Sequence, residues 1–369
     1  MTTLARRARA EVVYDGTDIS EDLAPYLLGV TYTDHQGGKA DEITIELEDR
    51  TALWRGDWLP GQGDTLAVRI HADDWGEGEG SLYCGTFTLD KLTMAGPPST
   101  VRIAAVSVPT GLAARKTKRS RAWESTTLRT VAEDVAASAR MTLVWDADDT
   151  GPLDRIVQNS ETDLAFLARI AGERHYATKV QAGQLVVWSV ADYALKASVL
   201  TYTLGESRVL SWDLEVKAYL YTPRVKVLYQ DPWIGDVQES TITAAEAFRD
   251  PDPDDPLGLE PQSFDDAAAE VIRMRARSQS FDDAATEVIR MRARSKAEAE
   301  AKAKAALLAR TEHSAEGTLT VMGDVRLVAG NCIALAGWAK LDGKYLVETA
   351  THTIGAGYTV RVKIKKATP

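Results

Sequence analysis

Gly85-Thr86-Phe87-Thr88-Leu89-Asp90 and Gly343-Lys344-Tyr345-Leu346-Val347-Glu348 share one design: a glycine, an aromatic two places on, and apolar residues alternating with polar ones. Alternation of period two turns one face of a strand to a core and the other to water, and glycine relieves backbone strain where the chain turns into the strand. The two stretches have matching neighbours in the same order. Upstream, Gly61-Gln62-Gly63-Asp64 enters the run Thr65 to Ile70 as Ala329-Gly330-Asn331 enters Cys332 to Leu335. Downstream, Thr100-Val101-Arg102-Ile103 answers Thr359-Val360-Arg361-Val362. The later intervals are nearly equal, while the earlier one is stretched in the first member by an acidic, glycine-rich loop. Taken in order, the matches point to an internal pseudo-repeat of two similar antiparallel β-barrels. Three such chains would then make a ring with a six-fold-like surface.

Around the first member, Val12 to Val108 reads as strand after strand, including Ile43-Thr44-Ile45-Glu46-Leu47 and Leu66-Ala67-Val68-Arg69-Ile70. Between the second of these and Cys84, Ala72-Asp73-Asp74-Trp75-Gly76-Glu77-Gly78-Glu79-Gly80 predicts a solvated hairpin loop, with Trp75 packed on the barrel edge. The basic run Arg115-Lys116-Thr117-Lys118-Arg119-Ser120-Arg121 reads as a solvated linker. Beyond it, Ser125-Thr126-Thr127-Leu128 opens a helix with Leu128, Val131, Ala132 and Val135 on one face. A second helix is predicted with Ser160 as cap, Glu161 and Asp163 at its positive end, and Leu164, Leu167, Ala168 and Ala171 along one face. Strands at Ala177 to Val180 and Leu185 to Val190 complete an α+β unit.

A further β region spans Thr201 to Tyr229 and is interrupted by Asp250-Pro251-Asp252-Pro253-Asp254-Asp255-Pro256, where prolines forbid regular structure. The stretch Gln262 to Ser278 is then repeated as Gln279 to Ser295 with a single change, Ala269 to Thr286, a local duplication too short to build a solenoid. Each copy reads as a helix capped by Ser263 or Ser280, followed by a strongly helix-forming run from Lys296 to Arg310. The predicted class is therefore α+β, mainly β. The first barrel falls at 1–114, the α+β domain at 115–197, a discontinuous second barrel at 198–238 and 315–369, and an acidic, helical insertion carrying the tandem repeat at 239–314.

Bulk properties narrow the function. The 369 residues are 44% hydrophobic and 26% charged, with a net charge of −11. That balance argues against a tight grip on a phosphate backbone, which needs clustered Lys and Arg, so no specific nucleic acid is expected. Cys84 and Cys332 stand too far apart in sequence to read as a metal motif or a disulfide framework. Arg6, Arg7 and Arg9 are followed by Glu11 and Asp15 rather than an apolar core, and no apolar run nears the roughly 18 residues of a membrane span, so neither leader nor membrane anchor is predicted. His35, His71, His175, His313 and His352 are scattered, with no His-Glu-x-x-His spacing and no Gly-x-Ser-x-Gly elbow. His352 reads as structural, and the acidic Gly76-x-Gly78-x-Gly80 is not a phosphate loop. No catalytic, cofactor-binding or metal-ligating residue is predicted, and no cofactor.

Three segments resemble the phage late control D family: Ala40 to Asp49 with Pro60-Gly61-Gln62-Gly63-Asp64, Asn159 to Leu167, and Leu341-Asp342-Gly343-Lys344-Tyr345-Leu346-Val347 with His352 and Gly357-Tyr358. The resemblance runs over most of the chain in the family's order, and the second segment is the most specific. It implies a non-enzymatic baseplate hub, similar to the double-barrel hubs of contractile phage tails and the first half of type VI spike proteins. The implied partners are two further copies in a homotrimer, a hexameric tail tube ring, a trimeric spike on a separate chain, and other baseplate components. The implied place is the baseplate of a virion or injection particle assembled in the bacterial cytoplasm. The 17-residue duplication and its acidic, proline-rich lead-in depart from the family pattern. The chain ends at Pro369, soon after the second barrel, so the spike is expected on another polypeptide. A tail-associated cell-wall hydrolase and a glycan-binding tail module are the alternatives.

Overall fold

The computed structural model describes residues 6–56, 58–61, 63–107, 116–148, 151–216, 224–230, 237–243, 286–290, 304 and 315–367. Its first region holds β1 (Arg7–Tyr14), β2 (Thr17–Asp18), β3 (Leu27–His35), β4 (Glu42–Glu48), β5 (Thr65–Asp73), β6 (Gly80–Ala95) and β7 (Thr100–Val106). The middle region holds β8 (Lys118–Thr126), β9 (Thr142–Asp146), β10 (Leu153–Thr162), β11 (Tyr176–Gln181) and β12 (Gln184–Ser189), with helices Leu128–Ser138, Asp163–Gly172 and Val190–Leu195. Then come β13 (Leu200–Thr203), β14 (Val209–Val216), β15 (Arg224–Gln230), β16 (Val237–Thr243), β17 (Thr286–Arg290), β18 (Ala315–Met322), β19 (Cys332–Ala336), β20 (Gly343–Ile354) and β21 (Tyr358–Lys366).

The two β-rich regions join in one 13-stranded sheet running β14-β18-β21-β20-β3-β4-β7-β6-β5-β1-β2, with β19 on β20 and β13 on β19. Both halves follow one path: β3-β4-β7-β6-β5-β1 in the first and β14-β18-β21-β20-β19-β13 in the second. The pseudo-repeat read from the sequence is thus present in the order of the strands. It extends to irregularities that hydrophobic patterning does not encode. Gly85 and Gly343 have φ of 116° and 128°, a region glycine enters freely. Five residues after each, the long strand bulges against its neighbour, between Leu89 and Lys91 in β6 and between Val347 and Thr349 in β20. β3 and β14 bulge at matching places too, between Leu27 and Gly29 and between Val209 and Ser211. One departure stands out: β1 runs antiparallel to β5, whereas β13 runs parallel to β19.

One large buried cluster spans both halves of the sheet, from Val30, Tyr32, Ile45, Leu47, Ile70 and Phe87 of the first half to Leu319, Tyr345, Val347, Val360 and Ile364 of the second. Strict alternation along β5 (Leu66, Val68, Ile70 and Ala72 buried) and β21 (Tyr358, Val360, Val362 and Ile364 buried) explains why each strand has one wet face. The α+β unit has its own core of Leu128, Val131, Val135, Phe166, Leu167, Ile170, Leu185 and Val187, with Trp123 stacked on Phe166 at 5.2 Å. At roughly 1.5–3 kcal/mol per fully buried large apolar side chain, each cluster supplies enough driving force to hold its elements.

Several sequence expectations need correction. Lys118 to Arg121, expected in a solvated linker, begin β8. Arg119 and Arg121 there face the buried carboxylate of Asp163, at 3.1 and 2.7 Å. The charge run is one wall of a buried ion pair because alternation puts both guanidiniums on the same side of the strand. The second helix is capped by Thr162, whose hydroxyl accepts from the Ala165 amide at 3.4 Å; Ser160 lies in β10 at φ 53°, so strand pairing with β8 outcompetes an earlier helix start. The first helix is capped as expected within its motif, by Thr127, which accepts from Thr130 N at 3.1 Å.

The helical insertion is also revised where it is described. Thr286–Arg290, in the second tandem copy, is a strand paired parallel to β15. Thr286, Val288 and Ile289 are β-branched, and with Val225 and Val227 opposite Glu287 and Ile289 they favour a pleated ladder over a helix. β15, expected in the second barrel, pairs with β16 and β17 in a separate three-stranded sheet. The first copy at 262–278 lies outside the described residues, as does 296–310 apart from Lys304, which is helical.

Candidate functional site

Where the two halves meet, β3 pairs antiparallel with β20: Val30 opposite Ile354, Thr31 opposite Thr353, Tyr32 opposite His352, Thr33 opposite Thr351, and Asp34 opposite Ala350. Alternation sends Val30, Tyr32, Asp34, Ala350, His352 and Ile354 inward, all buried, and the threonines outward. This seam removes two strand edges that would otherwise be templates for aggregation.

His352 sits at its centre. Its Nε2 lies 2.8 Å from the Leu327 carbonyl, which can only accept, so that nitrogen carries the proton; Nδ1 then accepts from the Tyr358 hydroxyl at 2.8 Å. The ring stacks between Tyr32 and Tyr358 at 5.9 and 6.0 Å. Burial pushes its pKa down to about 4, so the imidazole is neutral at ordinary pH. With both nitrogens engaged and no solvent access, it is a structural residue, in keeping with its sequence reading.

Trp75 ties the first half to the second from the hairpin between β5 and β6. Its indole N–H donates to the Gly323 carbonyl at 2.5 Å and its ring lies 5.5 Å from Tyr358. The acidic loop, predicted as solvated with Trp75 packed on the barrel edge, thus carries that tryptophan as a clasp to the second half, and Gly78 beneath the indole is buried. A side chain at Gly78 would meet Trp75 Cδ1 at 2.9 Å.

A buried polar junction joins the sheet to the α+β unit. Lys179, on β11, reaches between Asp34 and Asp41 at the two ends of the β3–β4 turn, ion-pairing with Asp34 and lying 2.9 Å from Asp41 Oδ2. Asp34 also accepts from the Ala329 amide at 2.8 Å, and Asp41 from the His35 amide at 2.9 Å. Ser107 completes the junction, receiving the Asp41 N–H at 3.0 Å and donating to the Val180 carbonyl at 3.1 Å. Burial alone would lower the Lys179 pKa, but the two carboxylates outweigh it and hold it up. Burial raises the carboxyl of Asp41, with Asp34 adding to the rise and Lys179 opposing it. One ammonium between two carboxylates leaves the junction anionic, so its value is in fixing geometry rather than in a surplus of attraction.

The remaining histidines do not converge. His35 lies on β3 with Nδ1 3.4 Å from Thr349 Oγ1, His71 on β5 is 2.7 Å from Glu11, His175 is in the turn before β11, and His313 is outside the described residues. Among the described residues no group of three or more His, Cys, Asp or Glu side chains is placed to hold a metal ion. Cys84 and Cys332 are buried free thiols. The polar junction was missed in the sequence. Its only signal is a pair of aspartates flanking a short glycine-containing turn, and the lysine that answers them is far away in the chain.

Two strand edges remain open among the described residues. β14 ends the sheet and pairs only with β18, and the stretch of β6 from Asp90 to Ala95 pairs with β7 but has no strand on its other side. Leu210, Trp212 and Val216 of β14 and Met94 of β6 are exposed. Apolar side chains on an unpaired edge mark an interaction surface.

Comparison with known proteins agrees with this architecture. The family model described as phage tail baseplate hub (GPD) matches residues 43–358. The "Probable baseplate hub protein" of Escherichia phage 186 is 29% identical over 170 residues, 46% of this chain and 42% of that protein, so the match spans less than half the length of the curated relative. Solved structures share the fold. The tail protein from Neisseria meningitidis MC58 has a TM-score of 0.67 at 14% identity, covering 97% of this chain and 96% of the other. The 43 kDa tail protein of prophage MuSo2 from Shewanella oneidensis has a TM-score of 0.63 at 14% identity, covering 97% and 98%.

Proposed function

The chain belongs to the phage tail baseplate hub (GPD) family, and from that premise we propose that it is the homotrimeric hub of a contractile phage tail or phage-like injection system. In this role it joins a hexameric tail tube ring to a trimeric spike, in contact with other baseplate components. The observation that carries the reading is that the two halves of the sheet follow one strand order and share bulges at matching places in β3 and β14 and in β6 and β20. A chain with two equivalent barrels offers six near-equivalent surfaces in a ring of three copies, matching a six-fold tube on one side and a three-fold spike on the other.

The role is structural rather than catalytic. A hub acts by holding surfaces in fixed relation, and the features that stiffen this chain do that: the buried seam, the Lys179 junction and the Trp75 clasp. Its place is the baseplate of the particle, with assembly in the bacterial cytoplasm before release. The test is reconstitution with tube and spike proteins of the same particle, imaged by electron microscopy. A three-fold hub seated between tube and spike is expected. Failure to bind either partner, or peptidoglycan hydrolysis by the purified chain, would overturn the assignment.

A further inference from the structure

The edges of β14 and β6 that are open among the described residues are, by the internal pseudo-repeat, the counterparts of the two strands that form the buried seam. The bulges fix the alignment. Leu28 in β3 matches Leu210 in β14, and Glu348 in β20 matches Asp90 in β6, each lying at the register shift of its strand. Counting from those points, Val30, Tyr32 and Asp34 of β3 correspond to Trp212, Leu214 and Val216 of β14. Likewise Ala350, His352 and Ile354 of β20 correspond to Leu92, Met94 and Gly96. Neighbouring strands keep the same equivalence, since Val30 faces Ile45 as Trp212 faces Leu319, and Ile45 faces Ile103 as Leu319 faces Val362.

What differs between the two sets is cover. In the seam Val30, Asp34 and His352 are 1%, 3% and 0% exposed, whereas their counterparts Trp212, Val216 and Met94 are 48%, 57% and 40% exposed. We propose that the outer edge of β14 pairs antiparallel with β6 of a second copy of this chain, in the register of the internal seam. That register sets Leu92 opposite Val216, Thr93 opposite Glu215, Met94 opposite Leu214, Ala95 opposite Asp213, and Gly96 opposite Trp212. The faces sort correctly: Leu92, Met94, Trp212, Leu214 and Val216 fall on one side and Thr93, Asp213 and Glu215 on the other. A one-residue slip would mix them. Because each copy supplies one β14 edge and one β6 edge, the contact is head to tail and closes only as a ring.

The inference rests on the hub reading for the number of copies but specifies a contact which that reading leaves open. The test is the double variant Met94→Cys with Leu214→Cys, treated with a short bifunctional thiol reagent while solution mass is followed in parallel. Cys84 and Cys332 are buried and contribute little background. Covalent two- and three-chain species are expected, and they should be scarce in the control pair Met94→Cys with Asp213→Cys, whose side chains would lie on opposite faces. A trimer by mass without cross-links overturns the proposed edge pairing and leaves the hub reading standing. Equal cross-linking of both pairs overturns the register, and a chain that stays monomeric at every concentration counts against both. Trp212→Glu gives an independent arm: the trimer should dissociate to folded single chains with an unchanged far-UV spectrum, and an intact trimer would contradict the pairing.

Discussion

The two halves of the sheet trace the same path, yet they differ at the turn between their first two strands. In the first half, β3 passes to β4 through the short stretch 36–41, and the aspartates at its ends clamp Lys179. In the second half, the equivalent connection from β14 to β18 runs from 217 to 314 and contains the proline-rich acidic stretch and the tandem repeat. The positions matching Asp34 and Asp41 are Val216 and Ala315, so the second half has no counterpart to the clamp. The lesson is that a hairpin turn is where such a fold tolerates growth, because closing a longer loop costs little extra entropy and disturbs no ladder. The half that keeps its short turn uses it to anchor the α+β unit.

The sharpest way to break the comparison is to remove the clamp. Lys179→Met leaves two buried carboxylates without their cation, and a loss of about 3–5 kcal/mol is expected by urea unfolding. A loss under about 1 kcal/mol would mean the junction is wet and the two turns are not so different after all. Next in size is the pH dependence carried by His352. Its folded-state pKa of about 4 lies below the usual 6.5, so as pH falls the unfolded chain takes up this proton first and stability is lost between those values. Relative to His352→Gln, the wild type should lose about 3 kcal/mol of its advantage between pH 7 and pH 4. Asp41, whose raised pKa acts in the opposite sense, cancels in that difference. A gap independent of pH would contradict a neutral, sealed seam histidine.

Smaller effects sharpen the picture. Trp75→Phe removes the hydrogen bond to Gly323 while keeping an aromatic ring against Tyr358, and should cost about 1 kcal/mol by thermal unfolding. Thr127→Ala, which strips a helix cap from the α+β unit and touches neither half of the sheet, should cost about as much, typically 1 kcal/mol. If both variants also weakened oligomerisation by light scattering, the contacts between copies would reach beyond the sheet edges.

Much of this was legible in the sequence because alternation and turn residues are local signals. Gly85 and Gly343, with the aromatics two places on, marked equivalent strands, and those strands proved equivalent to the bulge. The chemistry of the junction was not legible, since Asp34, Asp41 and Lys179 become neighbours only when the α+β unit docks. Arg119 and Arg121 misled for the same reason: a run of charge looks solvated until its buried partner Asp163 is placed across the strand. Ser160 failed as a cap because β10 continues past it to Thr162, a pairing that no local pattern announces. In the duplicated segment helix-forming Ala and Arg surround the β-branched Thr286, Val288 and Ile289, and pairing with β15 decided between them.

Two similar half-sheets in one chain are proposed to build a ring of three. The most direct test is the solution mass of the purified chain by light scattering after size exclusion. The account predicts three times 40.2 kDa, independent of concentration over a working range. A stable dimer would contradict it, because a two-fold contact would join like edges and leave no ring to meet a six-fold tube.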